Sequence, residues 1–265
     1  MSQQTHRADP RLLNRRTLEG DHRQLAKRLQ LGMAVLDVGC GTGAITAGIA
    51  TRVGLKGEVL GIDRDEVLLA TARREHQGIP NLRFETGDAL SLDFKNRFDI
   101  VTAARTLQWI SEPDLAIQRM IQAVRPGGLL IVLDYDHQNN TWDPEPPDEF
   151  KRFYTAFLDW RAANRWSNQM GTELPGLFRS AGLTDVQSHV DDETEGRGDL
   201  TWAHVIESLG PTLVTSGFLT GAEHLGATAA YGDYIRHRLK TQTLALRTVE
   251  GRKISSPDGP GTAVQ

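Results

Sequence analysis

Between Met33 and Leu133 short apolar runs alternate with stretches whose apolar residues recur at helical spacing. The runs near 34–38, 58–62, 82–85, 98–103 and 128–134 have the length of strands, and the stretches between them suit crossover helices. This pattern predicts a parallel sheet with helices on both faces, which binds ligands outside the carboxyl ends of its strands. Upstream, Leu12, Leu18, Leu25 and Leu29 recur among charges and predict an amphipathic helix over Arg11 to Leu31. Downstream, Asp136 to Asp148 is polar and proline-rich and reads as a stiff extended loop. The next stretch, Glu149 to Arg165, carries Phe150, Phe153, Tyr154, Phe157, Leu158 and Trp160 at helical spacing, a stripe expected to bury against the sheet. Leu183 to Val190 and Thr241 to Val249 predict two further strands, separated by a largely helical insertion from about Asp199 to Arg238. An insertion of that length is expected to act as a substrate-side cap or as an oligomer contact. Met1 to Pro10 and Ser255 to Gln265 read as frayed or disordered ends.

Candidate chemistry concentrates where the first strand ends. Asp37-Val38-Gly39-Cys40-Gly41-Thr42-Gly43 joins that strand to the next helix. Its glycines permit positive φ and a close backbone approach to a ligand, as nucleotide-type cofactors require. With Ala44 as the third small position the segment also satisfies a dinucleotide fingerprint. Asp63 closes the second strand at the spacing of a ribose-binding acid and fits either kind of cofactor. Asp37 separates them, because a carboxylate beside the loop repels a pyrophosphate and suits a ligand with a sulfonium and an ammonium group, as S-adenosylmethionine has.

On these residues the chain resembles the class I S-adenosylmethionine-dependent methyltransferases, and the likeness continues in order. Gly61-Ile62-Asp63, Gly87-Asp88-Ala89, Phe98-Asp99-Ile100-Val101, Ala104 to Trp109, and Val124-Arg125-Pro126-Gly127-Gly128 to Val132 follow the family's later motifs. The resemblance implies an α/β fold: a Rossmann-like, doubly wound seven-stranded sheet, mostly parallel with an antiparallel closing strand, here the Thr241 to Arg247 run; the helical cap insertion is a departure from the family's pattern. The chain then reads as one domain with an N-terminal helical cap (1–32), a core (33–190 and 241–250), the insertion (191–240) and a tail (251–265). The resemblance further implies that Gly39, Cys40 and Gly41 contact the methionine part by their backbone, with Asp37 placing the loop and reaching the amino group. Asp63 would bind the ribose hydroxyls, Arg64 would cover the adenine, Asp88 and the Ala89 amide would read its edge, and Arg105 would lie along the methionine moiety or meet an anionic substrate. The Arg125 to Gly128 segment is read as a structural turn.

Composition narrows the partner. A chain of 265 residues, 39% hydrophobic and with a formal net charge of -4, can bury one core and has no general attraction for nucleic acid. The single cysteine, Cys40, excludes an intrachain disulfide, and no apolar run reaches membrane-spanning length, so a cytoplasmic enzyme is expected. No metal-ligand spacing such as His-x-x-x-His is present. The Asn/Asp-Pro-Pro-Tyr motif of amine-directed nucleobase methyltransferases is missing after the fourth strand, where Ala104-Arg105-Thr106-Leu107 stands. What remains is a small organic acceptor at O, N or C, as in the group resembling the ubiquinone/menaquinone-biosynthesis methyltransferases. S-adenosylhomocysteine would be the product. Methyl transfer asks mainly for in-line alignment, and no catalytic residue is assigned. His137, Tyr135 and His22 are the candidates for a general base, and Trp109 and Trp142 for an aromatic pocket wall. The alternatives are a cofactor-binding module of the same fold without turnover and an NAD(P)-dependent oxidoreductase, the latter disfavoured by Asp37, Asp88 and the lack of a Tyr-x-x-x-Lys pattern.

Overall fold

The computed structural model describes residues 9–255, and the expectations for the two chain ends lie almost wholly outside them. In chain order the elements are α1 (Pro10–Leu13), α2 (Leu18–Asp21), α3 (Arg23–Arg28), β1 (Ala34–Val38), α4 (Ala44–Val53), β2 (Glu58–Asp63), α5 (Glu66–Glu75), β3 (Leu82–Thr86), β4 (Phe98–Ala104), α6 (Pro113–Ala123), β5 (Val124–Tyr135), β6 (Thr141–Asp143), α7 (Asp148–Ala163), α8 (Met170–Ser180), β7 (Thr184–Val190), β8 (Glu193–Gly196), α9 (Thr201–Thr215), α10 (Gly221–His237), β9 (Thr241–Leu244) and β10 (Leu246–Arg252).

Seven strands form the main sheet in the order β3-β2-β1-β4-β5-β10-β7. The first five are parallel, and β10 runs antiparallel to both of its neighbours, β5 and β7. The seven-stranded, doubly wound architecture is thus as expected. Central strands such as β4 are buried along nearly their whole length, as a sheet covered on both faces requires. One face carries a core that includes Leu36, Val101, Met120, Leu130 and Phe178, and the other a core with Leu18, Leu25, Ile49, Val59 and Ile131. Strand order reverses between β1 and β4, and the crevice at such a switch point is where these sheets take ligands.

Three local readings are corrected. Thr241 to Val249 is not one strand: β9 lies in a separate three-stranded sheet with β6 and β8, and the closing strand of the main sheet is β10. Side chains explain the switch. The Ala245 amide donates to Asn140 Oδ1 at 2.8 Å and the Leu246 amide to Asp192 Oδ1 at 3.0 Å, so the backbone leaves one ladder and enters the next with its donors satisfied. The expected N-terminal helix is three short ones, because the Thr17 hydroxyl restarts the helix by accepting from the Gly20 amide and His22 leaves helical geometry. The loop over Asp136 to Asp148 contains β6, which pairs with β9.

The aromatic stripe of α7 is core, as its spacing implies, but it packs chiefly under the insertion. Phe150, Phe153, Phe157 and Trp160 join Trp202, Leu209, Leu213, Tyr231 and Tyr234 of α9 and α10 in a third core that reaches the main sheet at Leu133 and Leu246. This layer sits over the carboxyl end of β5. Large side chains buried here contribute about 1.5–3 kcal/mol each relative to exposure, so the layer is a folded part of the molecule.

Candidate functional site

A cavity of about 840 Å³ opens over the carboxyl ends of the parallel strands and runs from the glycine loop to the helical layer. At one end it is lined by Gly39, Asp63, Arg64, Asp88 and Ala89, and Arg105 follows beside β4. The sequence thus brought six of its nine proposed cofactor residues to one crevice. Asp37, Cys40 and Gly41 are not in its wall; Asp37 is buried, and the Gly41 amide bonds Asp63 at the cavity's edge.

The loop's geometry follows from its glycines. Gly39, Gly41 and Gly43 all have positive φ, 77°, 55° and 78°. At Gly39 a Cβ would also lie 2.4 Å from the Thr106 side chain, so this turn excludes any larger residue on two grounds. Three of its amides are already used. Those of Gly39 and Cys40 donate to the Ile62 carbonyl at 2.8 and 3.0 Å, and that of Gly41 to Asp63 Oδ2 at 2.9 Å. A pyrophosphate site needs such amides free for its anion, so these three do not serve a dinucleotide.

Asp63 holds the turn together. Its other oxygen accepts from the Asp65 amide at 2.9 Å, and burial raises its pKa against these two bonds. Asp65 caps α5 through the Val67 and Leu68 amides. Asp37 is buried behind the loop, where Oδ2 accepts from the Thr46 hydroxyl at 2.7 Å. Burial pushes its pKa up to about 6, and the Thr46 bond opposes the shift. Asp88 is exposed and accepts from the Leu90 amide at 2.9 Å, which orients the short turn containing Ala89. The Cys40 thiol is raised well above its usual value by burial, as suits an inert small residue.

Arg105 is buried with φ 58° and is already paired. Its guanidinium bonds Glu193, lies 3.5 Å from Asp21 and sits 5.7 Å from the Tyr135 ring centroid. Two carboxylates therefore balance its charge.

The other end of the cavity is made by Trp109, Ile110, Phe157, Trp202, Leu209 and Leu244. Trp109 lines it as expected. Trp142 does not, and packs instead among Phe150, Tyr154 and Trp202. Of the three base candidates, His22 is excluded from the wall: it is buried against the Thr102 hydroxyl at 2.8 Å, and burial, with the Arg105 charge second, takes it down to about 3. Tyr135 and His137 both line the cavity and stack with ring centroids 4.9 Å apart. Residues of the cavity outside the expected set include Gln108, which bonds His137, Glu193 on β8, and Trp202 on α9. Gln108 lies in the same segment as Arg105 and Trp109 and could have been singled out. Glu193 and Trp202 arrive from distant chain and leave no local signal.

No helix is long and apolar enough to cross a membrane, and no cluster of His, Cys, Asp and Glu could hold a metal, both among the described residues.

A family model described as a methyltransferase domain matches residues 29–180, more than half of the chain, and the chain belongs to that family. Among curated relatives, a ubiquinone/menaquinone biosynthesis C-methyltransferase of Idiomarina loihiensis is 37% identical over 108 residues, covering 39% of this chain and 43% of that protein. The chain thus spans under half of that relative's length. A demethylmenaquinone methyltransferase of Staphylococcus epidermidis is 28% identical over 184 residues, 62% of this chain and 73% of its own. Among solved structures, Haemonchus contortus phosphoethanolamine N-methyltransferase 2 in complex with S-adenosyl-L-methionine superposes with a TM-score of 0.56 at 18% identity, covering 88% of this chain and 53% of that one. An Aquifex aeolicus SAM-dependent methyltransferase gives 0.53 at 18%, covering 93% and 100%. These similarities in structure show the fold. None of the reported comparisons favours an oxidoreductase.

Proposed function

We propose that the chain transfers the methyl group of S-adenosylmethionine to a small, largely apolar and planar acceptor. The observation that carries this reading is one continuous cavity with two unlike ends: carboxylates and a glycine turn at the switch point, and aromatic walls under the helical layer. The donor set suits the cofactor. Asp63 and Asp88 offer acceptors to ribose and adenine groups, and Val67, Leu68 and Ala89 offer apolar surface to a base. Arg64, in the same wall, covers the ring in this reading. With its amide committed, Gly39 has its carbonyl for an ammonium group, and the Asp37 carboxylate behind it favours positive charge. Cys40 and Gly41 act by shaping the turn, and Arg105, with Glu193 and Asp21, forms the rim between the two ends.

When bound, the cofactor supplies an electrophilic methyl group. The chain's residues contribute position: the strand ends fix the donor side, and Trp109, Phe157 and Trp202 fix a flat acceptor and exclude water. A cytoplasmic location and an acceptor free in solution go with this reading. The test is release of S-adenosylhomocysteine from S-adenosylmethionine across a panel of phenols, amines, thiols and carbon acids. Turnover of one class supports enzyme function, whereas cofactor binding without any turnover favours a binding module of the same fold.

A further inference from the structure

Carboxylates outnumber cations in the cavity wall, and the cations are not alike. Arg15, Arg16, Arg64 and Arg105 are its only Arg or Lys side chains among the described residues. Arg15 and Arg64 are exposed, and Arg64 follows directly on Asp63. Arg105 is committed, bonded to Glu193 and 3.5 Å from Asp21. Arg16 differs from all three: it is half-buried, and its guanidinium has neither a hydrogen bond nor an ion pair among the described residues.

The carboxylates that act on Arg16 are held elsewhere. Asp21 Oδ2 accepts from the Thr17 amide at 2.7 Å while its Oδ1 faces Arg105, and Glu193 is bonded to Arg105. Both reach Arg16 only through space, whereas burial, with the Arg105 charge second, lowers its pKa. A guanidinium nevertheless keeps its proton at any ordinary pH. Desolvation and a like charge therefore weigh on a cation that nothing in the protein pairs, and an anionic ligand offsets both.

Position decides which anion. The Arg16 amide donates to the Leu13 carbonyl at 3.2 Å, which closes a turn after α1. Leu13 in turn packs on the glycine loop, where a Cβ on Gly41 would lie 3.0 Å from Leu13 Cδ1. Arg16 is thus tied to the glycine loop on one side and faces Arg105 on the other. The methionine part of S-adenosylmethionine carries a carboxylate beside its ammonium group. The amides of Gly39, Cys40 and Gly41 do not serve it, being committed within the loop, and the Asp37 and Asp63 carboxylates repel it.

Building on the methyltransferase reading, we propose that Arg16 binds the carboxylate of the cofactor's methionine part. The N-terminal cap then contributes a binding residue as well as a cover. Arg105 acts as a positioning residue, because it holds Glu193 and Asp21 away from Arg16 and leaves that charge for the ligand. A planar guanidinium can meet a carboxylate with two parallel hydrogen bonds, so the site selects a cofactor that has this group.

The test is calorimetric titration of the full chain with S-adenosylmethionine and with its decarboxylated form, which lacks only the carboxylate. The wild type should bind the decarboxylated form about tenfold to a hundredfold more weakly, having lost a charge-assisted pair. In Arg16→Gln the affinity for S-adenosylmethionine should fall by a similar factor. That for the decarboxylated form should change by less than about threefold, which also shows that the variant is folded. Arg16→Lys keeps the charge without the fork and should recover part of the loss. Arg15→Gln, exposed and one residue away, should leave the ratio of the two affinities as in the wild type. Equal binding of the two forms by the wild type, an equal loss of both in Arg16→Gln, no loss of S-adenosylmethionine in that variant, or a selective loss in Arg15→Gln would overturn the proposal and leave the methyltransferase reading standing. Failure of the wild type to bind either form would instead remove the reading on which it rests.

Discussion

From the glycine loop to Asp88 the cavity wall is made by backbone turns and short carboxylates, whereas from Trp109 to Leu244 it is made by large side chains drawn from distant parts of the chain. The first half depends on φ angles and on amides committed within the loop, as at Gly39, Cys40 and Gly41. The second depends on interlocked rings, with Phe150 stacked on Tyr231 at 4.3 Å and Trp202 edge-on to Tyr154, Phe157 and Phe150. Backbone-built sites tolerate little change of shape and keep one ligand. Side-chain-built pockets can be re-cut residue by residue, so the two halves should respond to mutation in separable ways.

Removing an aromatic from the second half should produce the largest change in stability. Phe153→Ala, at a fully buried position of the α7 stripe, is expected to cost about 3–5 kcal/mol, read as a fall in melting temperature. The insertion also has a glycine of its own kind. A Cβ on Gly210 would lie 2.0 Å from His224 Nε2, which donates to the Ile206 carbonyl at 3.1 Å. Gly210→Ala should therefore force His224 aside, cost about 1–3 kcal/mol and leave cofactor affinity unchanged. Gly39→Ala should do the reverse in kind: a strain of about 1–3 kcal/mol from its positive φ and the Thr106 contact, with a clear loss of cofactor binding in calorimetry. If Gly210→Ala weakened cofactor as much as Gly39→Ala, the two halves would not be separable.

A smaller effect distinguishes Asp37. Burial raises its pKa from 3.8 to about 6, so between those values the folded chain keeps a proton that the unfolded chain has released. The protonated form's advantage is fully present below the unfolded pKa and is lost as pH rises through about 6, so this group lowers stability with rising pH. Asp134, also raised to about 6 by burial, adds a slope of the same sign. Asp37→Asn should remove its share, about 1–3 kcal/mol, so the variant loses less stability than the wild type from pH 4 to 7 in chemical denaturation without cofactor. Its cofactor affinity at pH 7 should nevertheless fall, because a negative charge beside the bound cation is gone. Equal slopes in the two proteins would remove the electrostatic account of Asp37.

How far each half was legible in the sequence follows from the same contrast. The loop at Asp37 to Gly43, the acids Asp63 and Asp88, and the five parallel strands could be read because local backbone conformation and periodicity leave local signatures. Alternation continues through Ala245 and so predicts a closing strand at Thr241 to Arg247; the exchange of ladders there depends on Asn140 and Asp192, which are distant in sequence. Trp142 was expected in the pocket and Trp202 was passed over for the same reason, since which tryptophan faces the cavity is decided by how α7, α9 and α10 pack. Arg105 was legible as a site residue, but its pairing with Glu193 and Asp21 was not.

Whether the switch-point half of the cavity holds S-adenosylmethionine is read out by calorimetric titration of the wild type and Asp63→Ala with S-adenosylhomocysteine and with reduced nicotinamide dinucleotide. The wild type should bind S-adenosylhomocysteine and not the dinucleotide, and Asp63→Ala should bind it about tenfold to a hundredfold more weakly, having lost charged hydrogen bonds to the loop and to ribose. Binding of the dinucleotide alone, or an unchanged affinity in Asp63→Ala, would contradict that placement of the cofactor.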